Sequence, residues 1–110
     1  MTFISREFDK YQVSYKSDKH GYADAQLLLY SQNELVGNII FCKGGNPLRD
    51  NFYNEFNDII VLFYRTKHFK AIHDILLHEK PLFIVINPDT LWGQIYSGNE
   101  EIIGELEPPD

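Results

Sequence analysis

Residues 59–87 read IIVLFYRTKHFKAIHDILLHEKPLFIVIN, and this stretch decides the fold. Two apolar runs, residues 59–64 and 82–86, stand on either side of a segment with helical spacing. Each run has the length of a strand, is rich in β-branched and aromatic residues, and shows almost no alternation with polar residues. Because such runs are typical of strands buried on both faces, we expect both in the middle of a sheet.

The segment between the runs, about residues 67–79, predicts the one main helix. Thr66 suits its N-cap, and Pro81 stops it. Four apolar side chains recur on one face at helical spacing: Phe69, Ile72, Ile75 and Leu76. With such short connections, strand, helix and strand form either a right-handed parallel crossover or an antiparallel arrangement with an intervening strand.

Upstream of this unit, residues 1–9 are interpreted as a polar lead-in. Three strands are predicted to follow, at residues 11–16, 22–30 and 35–42, so that residues 11–43 form an antiparallel meander. Residues 44–58 are polar with interspersed aromatic residues, and we interpret them as one long loop. Asn46-Pro47 is also compatible with the start of a short helix there.

Downstream, residues 87–90 have turn composition, and strands are expected at 91–97 and 101–105. Residues 59–105 are thus a strand-helix-strand unit followed by a C-terminal hairpin. The whole chain, residues 1–110, is interpreted as a single domain. The predicted fold is α+β: a largely antiparallel, strongly bent or partly closed sheet of about six or seven strands with one main helix. Because one helix cannot cover both faces, sheet curvature, the 44–58 loop or a second subunit must cover the rest, and we predict a homodimer.

Composition narrows the class of protein. The chain is acidic, with a net charge of −6, which disfavours binding to nucleic acid. Its single cysteine, Cys42, cannot form an internal disulfide and fits a reducing compartment. No stretch has the length of a membrane span or the order of a secretion signal, so we predict a cytoplasmic protein that does not engage a membrane.

No catalytic residue, metal site or cofactor is predicted. His68, His73 and His78 are five residues apart, whereas a zinc-binding pair on one helix needs spacings of three or four. Lys43-Gly44-Gly45-Asn46 follows a strand but lacks the spacing of a phosphate-binding loop. The position of Cys42 inside a predicted strand indicates a buried, unreactive thiol. His20, Asp18 and Asp24 lie at or beside one predicted turn, which we interpret as exposed to solvent.

The last fifty residues also resemble a known group of proteins. The features that carry the resemblance are a strand ending in Tyr64-Arg65, the helix with Glu79-Lys80-Pro81 at its end, an apolar strand, and a terminal Ile103-Gly104-Glu105. Together they resemble a group of small bacterial proteins with no established activity. The resemblance implies a bacterial α+β protein and carries over no functional residues.

Two classes of function remain open. The first is a non-catalytic protein-interaction module, such as an inhibitor, an immunity-type protein or an adaptor, which engages a basic protein through an acidic, tyrosine-rich surface. Its candidate contact residues are Arg49, Phe52, Tyr53, Phe56, Tyr22 and Tyr30. The alternative is a small hydrolase or ligand-binding enzyme with a site near the 44–58 loop that includes Asp24 or His20. The sparse polar groups favour the first class.

Replacement of Ile72 by aspartate is expected to unfold the domain, because Ile72 lies on the apolar face of the predicted helix and a buried unpaired carboxylate costs several kcal/mol. Far-UV circular dichroism and thermal melting measure the effect. The control is Lys70→Asp on the polar face of the same helix, which should leave the fold intact. A cooperative, native-like melt of Ile72→Asp would contradict the predicted helix face.

Overall fold

The computed structural model describes residues 2–16 and 21–98 of the chain. Within them lie eight strands, a 3-10 turn at Thr66–His68 and one helix, α1, at Phe69–His78. The strands in chain order are β1 (Ile4–Phe8), β2 (Lys10–Tyr15), β3 (Ala23–Ser31), β4 (Glu34–Cys42), β5 (Phe52–Asn54), β6 (Ile59–Arg65), β7 (Leu82–Ile86) and β8 (Gly93–Ser97). The predicted α+β class is confirmed. The expected strand at 101–105 lies outside the described residues.

The described strands form two sheets. The large sheet has the order β2-β3-β4-β6-β5, and the small sheet has the order β1-β7-β8. All neighbouring strands are antiparallel except β4 and β6, which are parallel. Within the large sheet, β2, β3 and β4 make the expected meander. The architecture is therefore two sheets that share a core, where a single bent sheet was expected.

The polar lead-in expected at residues 1–9 is wrong, because it contains strand β1. This strand reads ISREF, and only Ile4 and Phe8 give it an apolar character. Its pairing with β7 places both side chains in the main core. A single residue, Asp9, then separates β1 from β2, so the chain passes directly from the small sheet to the large one.

Helix α1 connects the two sheets rather than two strands of one sheet. β6 lies in the large sheet and β7 in the small sheet, so neither predicted arrangement of strand, helix and strand is present. Thr66 does not cap the helix. It begins the 3-10 turn, and its hydroxyl donates a hydrogen bond of 2.6 Å to Oδ2 of Asp24.

The main core lies between the inner faces of the two sheets and α1. Ile72 and Leu76 are buried in it, and Phe69 and Ile75 pack against it, so the predicted apolar face of the helix is confirmed. The strands contribute most of the buried side chains: Phe8, Ala25, Leu27, Leu29, Ile39, Phe41, Ile60, Leu62, Leu82, Ile84, Ile86 and Ile95.

Strands β6 and β7 are buried on both faces, as their apolar sequences predict. On the far side of the large sheet, Val61 and Phe63 of β6 pack with Cys42 in a second cluster. On the far side of the small sheet, Phe83 and Val85 of β7 make a third cluster with other aromatic residues. Unbroken runs of apolar residues therefore mark strands with neighbours on both sides.

Two glycines mark where the sheets come closest. A Cβ atom at Gly37 would lie 3.0 Å from Cδ1 of Ile84, and one at Gly93 would overlap Cδ2 of Leu62. Gly37 belongs to the large sheet and Ile84 to the small one, whereas Gly93 belongs to the small sheet and Leu62 to the large one. Side-chain volume at these positions therefore controls the spacing of the sheets.

Gly93→Ala is expected to destabilise the protein by about 1–3 kcal/mol, because the added methyl group would overlap Cδ2 of the fully buried Leu62, so that Leu62 or β8 must shift. Thermal or urea unfolding measures this loss. The matched control is Gly44→Ala, whose added methyl group meets no atom within 4 Å and should change stability by less than about 0.5 kcal/mol. Equal stability of the two variants would show that the sheets do not pack closely at this point.

Candidate functional site

The segment at residues 44–58 contains an edge strand and no helix, so the short helix considered there is wrong. Strand β5 pairs antiparallel with β6, where Phe52 lies opposite Val61 and Asn54 opposite Ile59. Residues 55–58 form the turn between the two strands, and we call this turn the hairpin tip. A short isolated helix leaves many of its backbone N–H and C=O groups without partners and is marginally stable in water. Pairing with the edge of β6 gives the backbone of β5 hydrogen-bonding partners instead.

Asn51 fixes the start of this hairpin. Its Oδ1 accepts a hydrogen bond of 2.8 Å from the backbone N–H of Phe63, which extends the pairing with β6 by a side chain. Its Nδ2 donates 3.0 Å to the carbonyl of Leu91, in the loop before β8. One amide therefore links the edge of the large sheet to the small sheet.

A polar network braces the hairpin tip. Asp58 has a positive φ of 56° and accepts a hydrogen bond of 2.7 Å from Nη2 of Arg6 and one of 2.6 Å from the Tyr53 hydroxyl. These donors, Arg6 above all, lower the pKa of Asp58, and the carboxylate in turn raises the pKa of Tyr53. At the other end of the turn, Asn54 Oδ1 accepts the backbone N–H of Phe56 at 3.0 Å. The turn is thus held to β1 and to its own strand.

The hairpin presents two aromatic rings to solvent. Phe56 at the tip is 99% exposed, and Phe52 on β5 is 44% exposed. The Phe52 ring also lies 6.2 Å from that of Phe63, between ring centroids, so one side of it packs against the sheet. Phe56 has no comparable support from the described part of the chain.

Tyr22 and Arg49 form a second feature close to the hairpin. The Tyr22 hydroxyl donates 2.8 Å to the carbonyl of Pro47 and accepts 2.9 Å from the N–H of Arg49. The Arg49 guanidinium lies 4.1 Å above the Tyr22 ring, and that ring meets Phe63 edge-on at 6.3 Å. Burial is the main cause that raises the pKa of Tyr22. Tyr22 therefore holds the segment before β5 on the sheet.

The six candidate contact residues separate into different environments. Arg49, Phe52 and Tyr22 gather around Phe63, and Phe56 stands at the hairpin tip. Tyr53 lies on the opposite side of β5, half-buried against the main core. Tyr30 lies on β3, far from the hairpin in the sheet order, where its hydroxyl donates 3.4 Å to Gln12.

The remaining polar candidates do not converge. His73 stacks on Phe69 with 5.5 Å between ring centroids, and His68 meets Tyr64 edge-on at 6.5 Å. Cys42 is a buried free thiol. Within residues 2–16 and 21–98, no three histidine, cysteine, aspartate or glutamate residues are placed to hold a metal ion. His20 and Asp18 lie outside the described residues.

One cavity of about 330 Å³ was not predicted from the sequence. It lies where the parallel strands β4 and β6 end, and it is lined by Cys42, Gly44, Gly45, Arg65, Thr66 and Lys67. The Arg65 guanidinium donates to the carbonyls of Lys43 and Asn46, and the Thr66 hydroxyl donates to Asp24. The Lys43-Gly44-Gly45-Asn46 loop therefore lies beside this cavity, where Arg65 holds it. Only the pairing of β4 with β6 brings these residues together, and that pairing has no local signal.

Comparison of the chain with protein-family models, with curated proteins and with solved structures finds no match in any of the three. The resemblance of the C-terminal half to small bacterial proteins therefore stays a prediction. Among the described residues, no helix is both long enough and apolar enough to cross a membrane.

Asp58→Asn is expected to destabilise the protein near neutral pH and to have little effect in acid. A carboxylate with a lowered pKa stabilises the folded state above its ordinary pKa of about 4, and that contribution is lost as the pH falls through the folded-state pKa. Because the side chains of Arg6 and Asp58 are 35% and 54% exposed, we expect a loss of at most about 1 kcal/mol, and less at high salt. Asparagine also tolerates the positive φ at this position.

Urea unfolding of the wild type and the variant from neutral pH to about pH 3 measures this dependence. Asp50→Asn is the control, because Asp50 is an exposed carboxylate of the same segment outside the network around Asp58. A stability difference between wild type and Asp58→Asn that stays constant over the whole range would show that the Arg6-Asp58 pair does not brace the turn.

Proposed function

We propose that this protein is a non-catalytic protein-interaction module that binds a protein partner through the hairpin tip and the adjacent Phe52. An inhibitor, an immunity-type protein and an adaptor all fit this class. The observation that carries the proposal is the almost complete exposure of the Phe56 ring on a braced turn.

An aromatic ring in this position adds nothing to the core. Phe56 is exposed to solvent, while the turn beneath it is held by Asp58 and Asn54. Aromatic side chains on preorganised turns suit recognition, because they bury a large area on binding and lose little conformational freedom. The bracing of the turn therefore supports a role in binding rather than in folding.

The charges near the hairpin indicate the chemistry of the partner. Asp50 and Glu55 are exposed carboxylates on either side of Phe52, and the whole chain carries a net charge of −6. The complementary surface is an apolar pocket with a basic rim, since opposite charges speed encounter and fix orientation. A cytoplasmic location belongs to the same proposal, because the only cysteine is a free thiol.

The hydrolase or ligand-binding alternative has less support. Its candidate residue Asp24 accepts the Thr66 hydroxyl and lies 3.9 Å from the ammonium group of Lys43. Arg65 in the nearby cavity donates to two backbone carbonyls. These polar groups bind one another and hold the ends of β4 and β6 together, which is a structural role.

The test compares wild type, Phe56→Ala and Leu77→Ala as immobilised baits for an extract of the source organism. Phe56→Ala should lose the partner, and with the purified partner its affinity should fall at least about tenfold, the size of a binding hot spot. Its thermal stability should stay within about 0.5 kcal/mol of wild type. Leu77, an apolar residue of α1 that is 53% exposed, is the matched control and should bind normally.

Phe52→Ala and Tyr53→Ala complete the comparison. Because Tyr53 packs against the main core, Tyr53→Ala should lower the stability of the fold. Phe52→Ala should lower both the stability of the fold and the affinity for the partner, because the Phe52 ring is partly exposed. The proposal fails if no protein binds wild type more tightly than Phe56→Ala. It also fails if the three aromatic substitutions lower stability alone and leave partner affinity unchanged.

A further inference from the structure

The cavity at the ends of β4 and β6 lies where the chain leaves the large sheet in two opposite directions. After β4 the chain crosses the face on which Phe63 lies, because Arg49 lies over the ring of Tyr22, which meets Phe63 edge-on. After β6 the chain passes to the other face, where α1 packs on the main core. In open α/β sheets, ligands bind in the crevice that such diverging connections leave at the carboxyl ends of parallel strands. The place of this cavity in the sheet therefore favours a binding site.

Positive charge predominates around the cavity. Arg65 and Lys67 are the charged residues of its lining, which is completed by Cys42, Gly44, Gly45 and Thr66. Lys43 begins the adjoining loop, and Asp24 lies 3.9 Å from its ammonium group and accepts the Thr66 hydroxyl. These cations outnumber the carboxylate, although the whole chain carries a net charge of −6. Because charges more than about 8 Å apart are largely screened at physiological ionic strength, the groups beside the cavity decide which small ligands it attracts.

Several hydrogen-bond donors around the cavity are available to a ligand. Arg65 donates to two backbone carbonyls of the loop through Nη1, and its Nε and Nη2 donate to no described residue. The exposed ammonium group of Lys67 makes no hydrogen bond or ion pair with the described part of the chain. Within the same part, the backbone N–H groups of Gly44 and Gly45 donate to no acceptor. Guanidinium, ammonium and loop N–H groups are the donors that bind phosphate in proteins.

We propose that this cavity binds a phosphate dianion, either free phosphate or the phosphate group of a small monoester. The two cations of the lining match the two negative charges that such a group carries above its second pKa of about 6. The volume of about 330 Å³ lies at the lower end of the range for small-molecule sites and suits a ligand of this size. The Lys43-Gly44-Gly45-Asn46 loop lacks the spacing of a phosphate-binding loop, but the end of β6 and the turn after it supply the cations. The proposal concerns binding and implies no reaction.

The test is titration of the isotope-labelled full chain, followed by NMR of the backbone amides, at about pH 7.5, where phosphate is mostly a dianion. Inorganic phosphate and glycerol phosphate are the probes. Each should shift the amide signals of Gly44, Gly45 and Lys67 to saturation, with a dissociation constant below about 1 mM. Dimethyl phosphate carries one charge rather than two and should bind at least about fivefold more weakly. Tighter binding of glycerol phosphate would assign the site to a monoester and equal or weaker binding to free phosphate, and both results support the proposal.

Lys67→Gln removes one cation of the lining and should raise the dissociation constant for phosphate about tenfold, the size of a charge-assisted hydrogen bond. The fold should be unchanged, because Lys67 is exposed. Lys10→Gln is the matched control, since it removes the same charge from an exposed position at the opposite end of the large sheet. It should bind phosphate like wild type. Arg65 is unsuitable for this comparison, because its two hydrogen bonds also hold the loop.

The proposal is overturned if neither probe gives saturable shifts at the lining residues up to about 20 mM, or if Lys67→Gln binds phosphate as tightly as wild type. Phe56→Ala should bind phosphate like wild type, because Phe56 takes no part in the lining of this cavity. A failure of the phosphate site and a failure of partner binding at the hairpin tip are therefore separate results.

Discussion

The close approach of the two sheets at Gly93 is the constraint on which the other parts of the structure depend. β8 lies so close to Leu62 here that a Cβ atom at position 93 would overlap the Leu62 side chain. The same approach lets Asn51 reach from the edge of β6 to the carbonyl of Leu91. With the sheets at this distance, the core between them is filled mostly by aliphatic side chains, and α1 packs against the same core through Ile72 and Leu76.

The position of the hairpin follows from this packing. Asn51 fixes the entrance of β5 on the edge of β6, and Arg6 from β1 of the small sheet reaches Asp58 at the far end. Both ends of the hairpin are thus tied to the small sheet, directly or through the loop before β8. Phe56 can then remain exposed without loosening the turn, since other residues hold the backbone beneath it. The exposed aromatic ring and the residues that support the turn are therefore separate sets of residues.

The candidate contact residues show how far a sequence indicates a site. The mixture of polar and aromatic residues at 44–58 predicted a contact surface there, and two rings of this segment, Phe52 and Phe56, are exposed. The sequence did not separate Phe56 from Tyr53, because only the folded hairpin places Phe56 in the exposed turn and Tyr53 on the core side of β5. It also missed the role of Arg6, which lies fifty-two residues from Asp58 and has no local pattern to mark it.

The sequence by itself determined the α+β class, the apolar face of α1, the meander of β2, β3 and β4, and the burial of β6 and β7 on both faces. These features follow from local periodicity and from the apolar content of single segments. Only the tertiary structure decided that β6 and β7 belong to different sheets, that β1 exists, and that β4 pairs parallel with β6. Strand pairing joins segments far apart in the chain, and backbone hydrogen bonds form between any two strands, so the choice of partner is made by the packing of the whole core.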